Sequence, residues 1–94
     1  MKIKIKYFTT LREITGKKLD EIQLQKIITV KELIILLSEN YGKTFREYVY
    51  NNKGEPAEFL SFLVNGTNIN NMQGFDTKLQ EGNVVAILPP VGGG

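Results

Sequence analysis

Ninety-four residues, 41% of them apolar and 23% charged, are enough for one small globular domain with a single hydrophobic core. The chain holds no Cys and no His, which excludes thiolate nucleophiles, Cys/His metal sites and imidazole acid–base chemistry. A net charge of +2 is too small to mark a nucleic-acid partner, and no run has membrane-spanning length or the apolar core of a signal peptide. The expectation is therefore a cytoplasmic domain that binds no metal or cofactor and associates with neither nucleic acid nor membrane. Carboxylates and lysines alone make an independent enzyme a poor reading, so chemistry is expected at the chain terminus or in a partner.

Lys2 to Phe8 alternates, with Ile3, Ile5 and Tyr7 on one face and Lys2, Lys4 and Lys6 on the other, which predicts a half-buried first strand. Phe8 falls on the lysine face, where an aromatic is out of place. Lys17 and Lys18 add to the basic character of this hairpin, a solvated strand face in the plain reading and a docking surface in the sharper one. Thr9 to Gly16 reads as a short helical turn capped by a threonine and stopped by Gly16. Leu19 to Ile27 alternates again, Ile22 and Leu24 inward, and predicts a second strand.

Thr29-Val30-Lys31-Glu32 matches a capping box, and Val30, Leu33, Ile34, Leu37 and Tyr41 recur at helical spacing until Gly42. The main helix is thus expected over Val30–Tyr41, with Ile35 and Leu36 as additional core. Residues 43–58 read as an ordered insertion with a mobile tip, in which Phe45, Tyr48, Val49 and Tyr50 pack a short second helix. A third strand is expected over Phe59–Asn65, then an Asn65-Gly66 turn and a brief strand over Thr67–Ile69. Asn70–Asp76 reads as loop and Thr77-Lys78-Leu79 as a single turn. The last strand, Asn83–Leu88, turns Val85 and Ile87 inward.

Strand, strand, long helix, paired short strands and a final strand predict an α+β roll with one helix laid on a mixed sheet. In such a roll the first and last strands form a parallel pair, so the C-terminus leaves from mid-sheet. The ending Leu88-Pro89-Pro90-Val91-Gly92-Gly93-Gly94 is the most distinctive stretch. Two prolines end sheet pairing and start a stiff path, and three glycines then strip the end of side chains. Extended, residues 89–94 reach about 20 Å. A stiff base, a thin tip and a terminal carboxylate suit insertion into a narrow channel of another protein. This divides the chain into a domain over 1–88 and a tail over 89–94.

Three stretches carry a resemblance: Phe8 to Gly16, Leu63-Val64-Asn65-Gly66, and Gly82 through Gly94. Together with element order they resemble the ubiquitin-like sulfur-carrier family, the MoaD/ThiS group, and within it the small subunits of molybdopterin synthase. The resemblance implies a ubiquitin-like β-grasp fold. It implies that a ubiquitin-activating-type adenylyltransferase uses ATP to adenylate the Gly94 carboxylate, after which sulfur is installed as a thiocarboxylate. It implies docking to a molybdopterin synthase large subunit, in a heterotetramer, with Pro89, Pro90, Val91, Gly92 and Gly93 inserted into the partner. The chain itself would be a non-catalytic carrier passing sulfur to a pterin precursor during molybdenum cofactor biosynthesis. Alternatives sharing the activation chemistry are a protein modifier joined through Gly94 to target lysines, and sulfur delivery to thiamine or tRNA. An interaction module with an idle tail is the reading from another class.

If the first and last strands are neighbours, Phe8 and Leu88 lie together on the outer face, and Ile69 is expected beside them. Relatives similarly carry an apolar partner patch at these aligned positions. The bland alternative is that residues 43–58 cover Phe8 and make it core.

Overall fold

The N-terminal alternation becomes β1 (Lys2–Tyr7), with Ile3, Ile5 and Tyr7 fully buried and the three lysines exposed. The structure, a computed structural model, describes residues 1–90. After β1 the chain turns into α1 (Thr10–Thr15), but not through a threonine cap as expected. Thr9 makes no side-chain capping bond and instead adopts φ 45°, ψ −115°, a region that costs a β-branched residue on the order of 1–3 kcal/mol. Gly16 does end α1, in the left-handed conformation at φ 75°, its N–H donating to the Arg12 carbonyl at 2.8 Å.

β2 (Leu19–Gln23) pairs antiparallel with β1, Lys6 facing Leu19 and Lys2 facing Gln23. It stops short of the expected Ile27, its last ladder pair being Gln23 with Lys2. The Leu24 N–H reaches the Met1 carbonyl, and the chain then bends away, leaving Ile27 62% exposed. Ile22 is half-buried and Leu24 buried, as the alternation requires.

α2 (Val30–Tyr41) begins with the full capping box: the Glu32 N–H donates to Thr29 Oγ1 at 3.2 Å and the Thr29 N–H donates to Glu32 Oε1 at 3.0 Å. Val30, Leu33, Ile34 and Leu37 are buried against the sheet. Ile35 is not core but 44% exposed, since it stands about 100° around the helix from Ile34. Leu36 is half-buried against the core. α3 (Lys43–Val49) follows, with Phe45 and Val49 buried. The Phe45 ring stacks on Tyr41 at 5.8 Å, and Tyr41 meets Tyr7 edge-on at 6.1 Å. The tip beyond carries its own hydrogen bonds: Asn51 Oδ1 accepts from the Lys53 and Glu55 N–H groups.

β3 is confined to Ser61–Val64, and Phe59 lies outside it, 46% exposed against Tyr48. Asn65 (φ 49°) and Gly66 (φ 85°) make the turn to β4 (Thr67–Asn68). Ile69 opens a 3₁₀ turn instead of extending β4, because Asn68 Oδ1 caps that turn through the Asn70 N–H. A second 3₁₀ turn spans Gly74–Asp76 within the expected loop. Thr77-Lys78-Leu79 is not a helical turn. It runs extended beside the start of α2, with the Val30 N–H on the Thr77 carbonyl and the Leu79 N–H on the Ile28 carbonyl.

β5 (Val84–Leu88) pairs parallel with β1 and antiparallel with β3, giving the order β2-β1-β5-β3-β4. This mixed five-stranded sheet with α2 across one face is the ubiquitin-like β-grasp, and its last strand is central. Among the described residues no helix is long and apolar enough to cross a membrane.

Candidate functional site

Directly paired residues share a face of a sheet, so the register lays out the side opposite α2 row by row. One row reads Leu19, Lys6, Ala86, Leu63, Asn68 across all five strands. The row beside it begins Glu21, Lys4, Val84, and Leu88 faces Ser61 at the end where the chain departs. Val84, Ala86, Leu88 and Leu63 are half-buried, and among the described residues no element covers them. They form an apolar stripe along the central strand, bordered by the exposed lysines of β1. Leu63, Val84 and Ala86 were not among the expected patch residues. Alternation within β3 and β5 was the available signal, and only the pairing of the two strands turns it into a surface.

Leu88 takes the outward position expected of it, at the end of that stripe. Phe8 follows Tyr7, which pairs with Ile87, so the backbone register brings Phe8 and Leu88 to the same end of the sheet. Phe8 is half-buried and is not covered by residues 43–58. Its ring lines a shallow depression with Lys6, Arg12, Lys18 and Leu19. Arg12, which sequence reasoning passed over, holds this arrangement: Nε donates to the Tyr7 carbonyl at 3.0 Å and the guanidinium sits 5.3 Å from the centre of the Phe8 ring. Ile69 does not join Phe8 and Leu88. It is 2% exposed and belongs to the core, because the 3₁₀ turn directs it inward.

Pro89 is half-buried and Pro90 exposed, immediately beyond β5. Val91, Gly92, Gly93 and Gly94 lie outside the described residues. Because both neighbours of β5 hydrogen-bond to it, the tail is rooted in the centre of the sheet and not at an edge.

Behind this end of the sheet, Tyr7, Asp20 and Tyr41 tie the hairpin to α2. Asp20 Oδ2 accepts from Tyr7 Oη at 3.1 Å and from Tyr41 Oη at 2.6 Å, and Lys17 Nζ lies 3.5 Å from Oδ1. Burial by itself would raise the Asp20 carboxyl, but the two hydroxyls and Lys17 outweigh it and hold the group below its usual 3.8. Burial first, then the neighbouring Tyr41 and the Asp20 carboxylate, pushes the Tyr7 hydroxyl above its usual 10.0, and burial followed by the hydrogen bond to Asp20 raises that of Tyr41. Since the folded carboxyl titrates lower than the unfolded one, its stabilisation is present above about pH 3.8 and is lost as pH falls through the folded value. The tyrosines act oppositely: their contribution is present below pH 10.0 and fades as pH rises through their folded values. Asp20→Ala leaves the buried Tyr7 hydroxyl without an acceptor and is expected to cost about 1–3 kcal/mol near neutral pH. Urea denaturation across the acid range checks this: the variant's stability should fall less steeply than the wild type's below pH 3.8. Parallel acid limbs would remove Asp20 from the account.

Comparison with known proteins places this geometry. A protein of Archaeoglobus fulgidus, provisionally named a sulfur carrier protein, is 40% identical over 74 residues, covering 79% of this chain and 82% of that one. Small archaeal modifier protein 3 of Haloferax volcanii is 28% identical over 94 residues, the full length of both chains. Among solved structures, a provisional molybdopterin converting factor subunit 1 from Pyrococcus furiosus superposes with TM-score 0.76 at 29% identity, covering 96% of this chain and 98% of that one. The pattern of the ThiS family matches residues 5–94, from β1 to the last glycine, and this chain belongs to that family.

Proposed function

We propose that this protein is a sulfur carrier whose Gly94 carboxylate is activated and thiocarboxylated, and that it serves as the small subunit of a molybdopterin synthase. The observation that carries this is a glycine tail that continues from a central strand, whose outer face carries an apolar stripe that no other described element covers, in a chain whose family match runs through residue 94. A carboxylate is a poor electrophile because its charge is delocalised and oxide is a bad leaving group. Attack of the Gly94 carboxylate on the α-phosphate of ATP, with pyrophosphate leaving, makes a mixed anhydride on the activating enzyme. The outer sulfur of a persulfide then displaces AMP, and a thiol cleaves the resulting acyl disulfide, ending as a disulfide itself and freeing the thiocarboxylate. The carrier supplies no cysteine to this sequence of steps. Its own contribution is the tail, which reaches a buried active site, and the stripe that docks the domain.

The second reading is a protein modifier joined through Gly94 to lysines of target proteins. It is favoured by the full-length likeness to a small archaeal modifier protein. Both readings share adenylation and part company only at the acceptor. Intact mass after incubation with ATP, a sulfur donor and the cognate activating enzyme tests the shared step: a gain equal to one oxygen replaced by sulfur, mapped to Gly94, is expected. No gain with an enzyme competent on another carrier would favour an idle tail.

Phe8→Ala is expected to weaken binding to the activating enzyme at least about tenfold, near 1.4 kcal/mol, as for an aromatic at the centre of a docking surface. The ring is half-buried, so the folded state should persist with little change in Tm. Calorimetric titration beside a thermal melt separates the two effects, and a large loss of Tm without loss of affinity would make Phe8 a core residue.

A further inference from the structure

Net charge hides how the charges are distributed. The depression beside Phe8 is lined by Lys6, Tyr7, Phe8, Arg12, Lys18 and Leu19, with three cations and no carboxylate. The one salt bridge among the described residues joins Lys17 to Asp20 on the helix side, so these three cations have no anionic partner within the domain. Lys6 and Lys18 are exposed. Arg12 is aimed by its Nε bond to the Tyr7 carbonyl and by the Phe8 ring beneath it, and that Nε bond is the single hydrogen bond its guanidinium makes among the described residues. A guanidinium so fixed loses little freedom on meeting a carboxylate, which it grips through two parallel N–H groups. Lys6 also borders Ala86 in the outer row, so the cationic depression is continuous with the apolar stripe.

We propose that this depression is a specificity element of the docking surface and receives an acidic side chain, Asp or Glu, from the protein that activates the tail. The inference rests on the carrier reading above, because it names the chemistry of that partner. An acidic protein surface is favoured over a nucleic acid by the neighbouring stripe. Val84, Ala86, Leu88 and Leu63 would stay uncovered against a phosphate backbone, whereas a protein partner buries them while its carboxylate meets the cations. Charge of this kind steers encounter and rejects wrong partners more than it adds affinity.

The experiment is chain-dependent ATP–pyrophosphate exchange by the cognate activating enzyme, measured with the full chain at rising ionic strength. For the wild type, KM should rise steeply with salt. Lys6→Glu combined with Lys18→Glu should raise KM at least about tenfold at low salt, within the 10–10³ range of electrostatic steering. Near 1 M salt, where the Debye length falls to about 3 Å, the curves should converge. Lys18→Gln should fall between them, and Lys31→Glu, on the far side of the domain in α2, should match the wild type. Both lysines of the double variant are exposed, and a thermal melt confirms its fold. Wild-type exchange with an unchanged KM for the double variant would overturn the proposal and leave the carrier reading standing, as would a KM shift undiminished at high salt. Retention of the wild type on single-stranded RNA, abolished by the double variant while KM stays the same, would replace the protein partner by a nucleic acid. No chain-dependent exchange at any salt would remove the carrier reading and this proposal together.

Discussion

Deleting Gly93 and Gly94 is expected to abolish sulfur loading, a loss of more than about 10²-fold in rate, while leaving Tm within about 2 °C of the wild type. The shortened chain still ends in a carboxylate, so chemistry at the acid itself is not what is removed. What is removed is reach: two residues of extended chain span about 7 Å, and even a 1 Å misplacement of a reacting group can cost about 10²-fold. The fold is indifferent because the last paired residue is Leu88, opposite Ser61, and the strand is already held on both sides. Mass spectrometry of the loading reaction and a thermal melt of the same sample check both halves. Normal loading of the shortened chain would move the functional end elsewhere. A drop in Tm large enough to unfold the sample would make residues 93–94 structural.

The largest effect on stability is expected at Phe45, inside the segment that was hardest to read. Phe45 is fully buried, stacked on Tyr41, which in turn donates to Asp20 and packs edge-on against Tyr7. Phe45→Ala removes the ring and leaves a cavity under α2, a change that costs about 3–5 kcal/mol in well-packed cores. Against the 5–15 kcal/mol total of an ordinary domain this is a large share, and in a chain of this size it lowers Tm by roughly 15–25 °C. Phe59→Ala is the matched control: the same residue type in the same region, but 46% exposed and touching mainly Tyr48, with an expected cost of about 1 kcal/mol. Urea denaturation of the two variants decides the role of residues 43–58. Equal costs would mean that α3 is an appendage; a cost several times greater at Phe45 makes it part of the core. Below its own Tm the Phe45→Ala protein should still load sulfur, because the apolar stripe is on the opposite side of the sheet.

Where one interaction dictates local structure, reading it needs only neighbouring residues. Alternation of Ile3, Ile5 and Tyr7 with lysines gave β1 its two faces, and the pattern survives in full because that strand is solvated on one side. The Thr29–Glu32 capping box set the start of α2, since both partners lie within one turn. Asn65-Gly66 set the hairpin, because both positions need positive φ. Errors came where a distant partner decided the outcome. β2 ends at Gln23, the last residue that pairs with β1, and Thr77–Leu79 is extended because it bridges to the strand-like entry of α2. Thr9 carries the residue type of a cap, yet the turn out of β1 forces it into a region that capping does not use.

For the candidate site the division is similar. The order of elements, the apolar stripe of α2, the central glycine-proline ending and the family likeness are all consequences of local pattern, and the sequence by itself determined them. Which apolar residues form the proposed docking surface is a matter of register, and register is set by pairing between strands far apart in the chain. Lys6, Ala86 and Leu63 stand in one row only because β5 inserts between β1 and β3. Ile69 and Leu88 look alike as isolated aliphatics near turns, but a 3₁₀ turn buries the first while strand alternation turns the second outward. Arg12 gains its place over Phe8 from the folded turn between them, not from its spacing in the sequence. Hydrophobic periodicity says that a residue has an inner or an outer side. Only tertiary packing says what lies next to it, because burial is shared between segments that the sequence keeps apart.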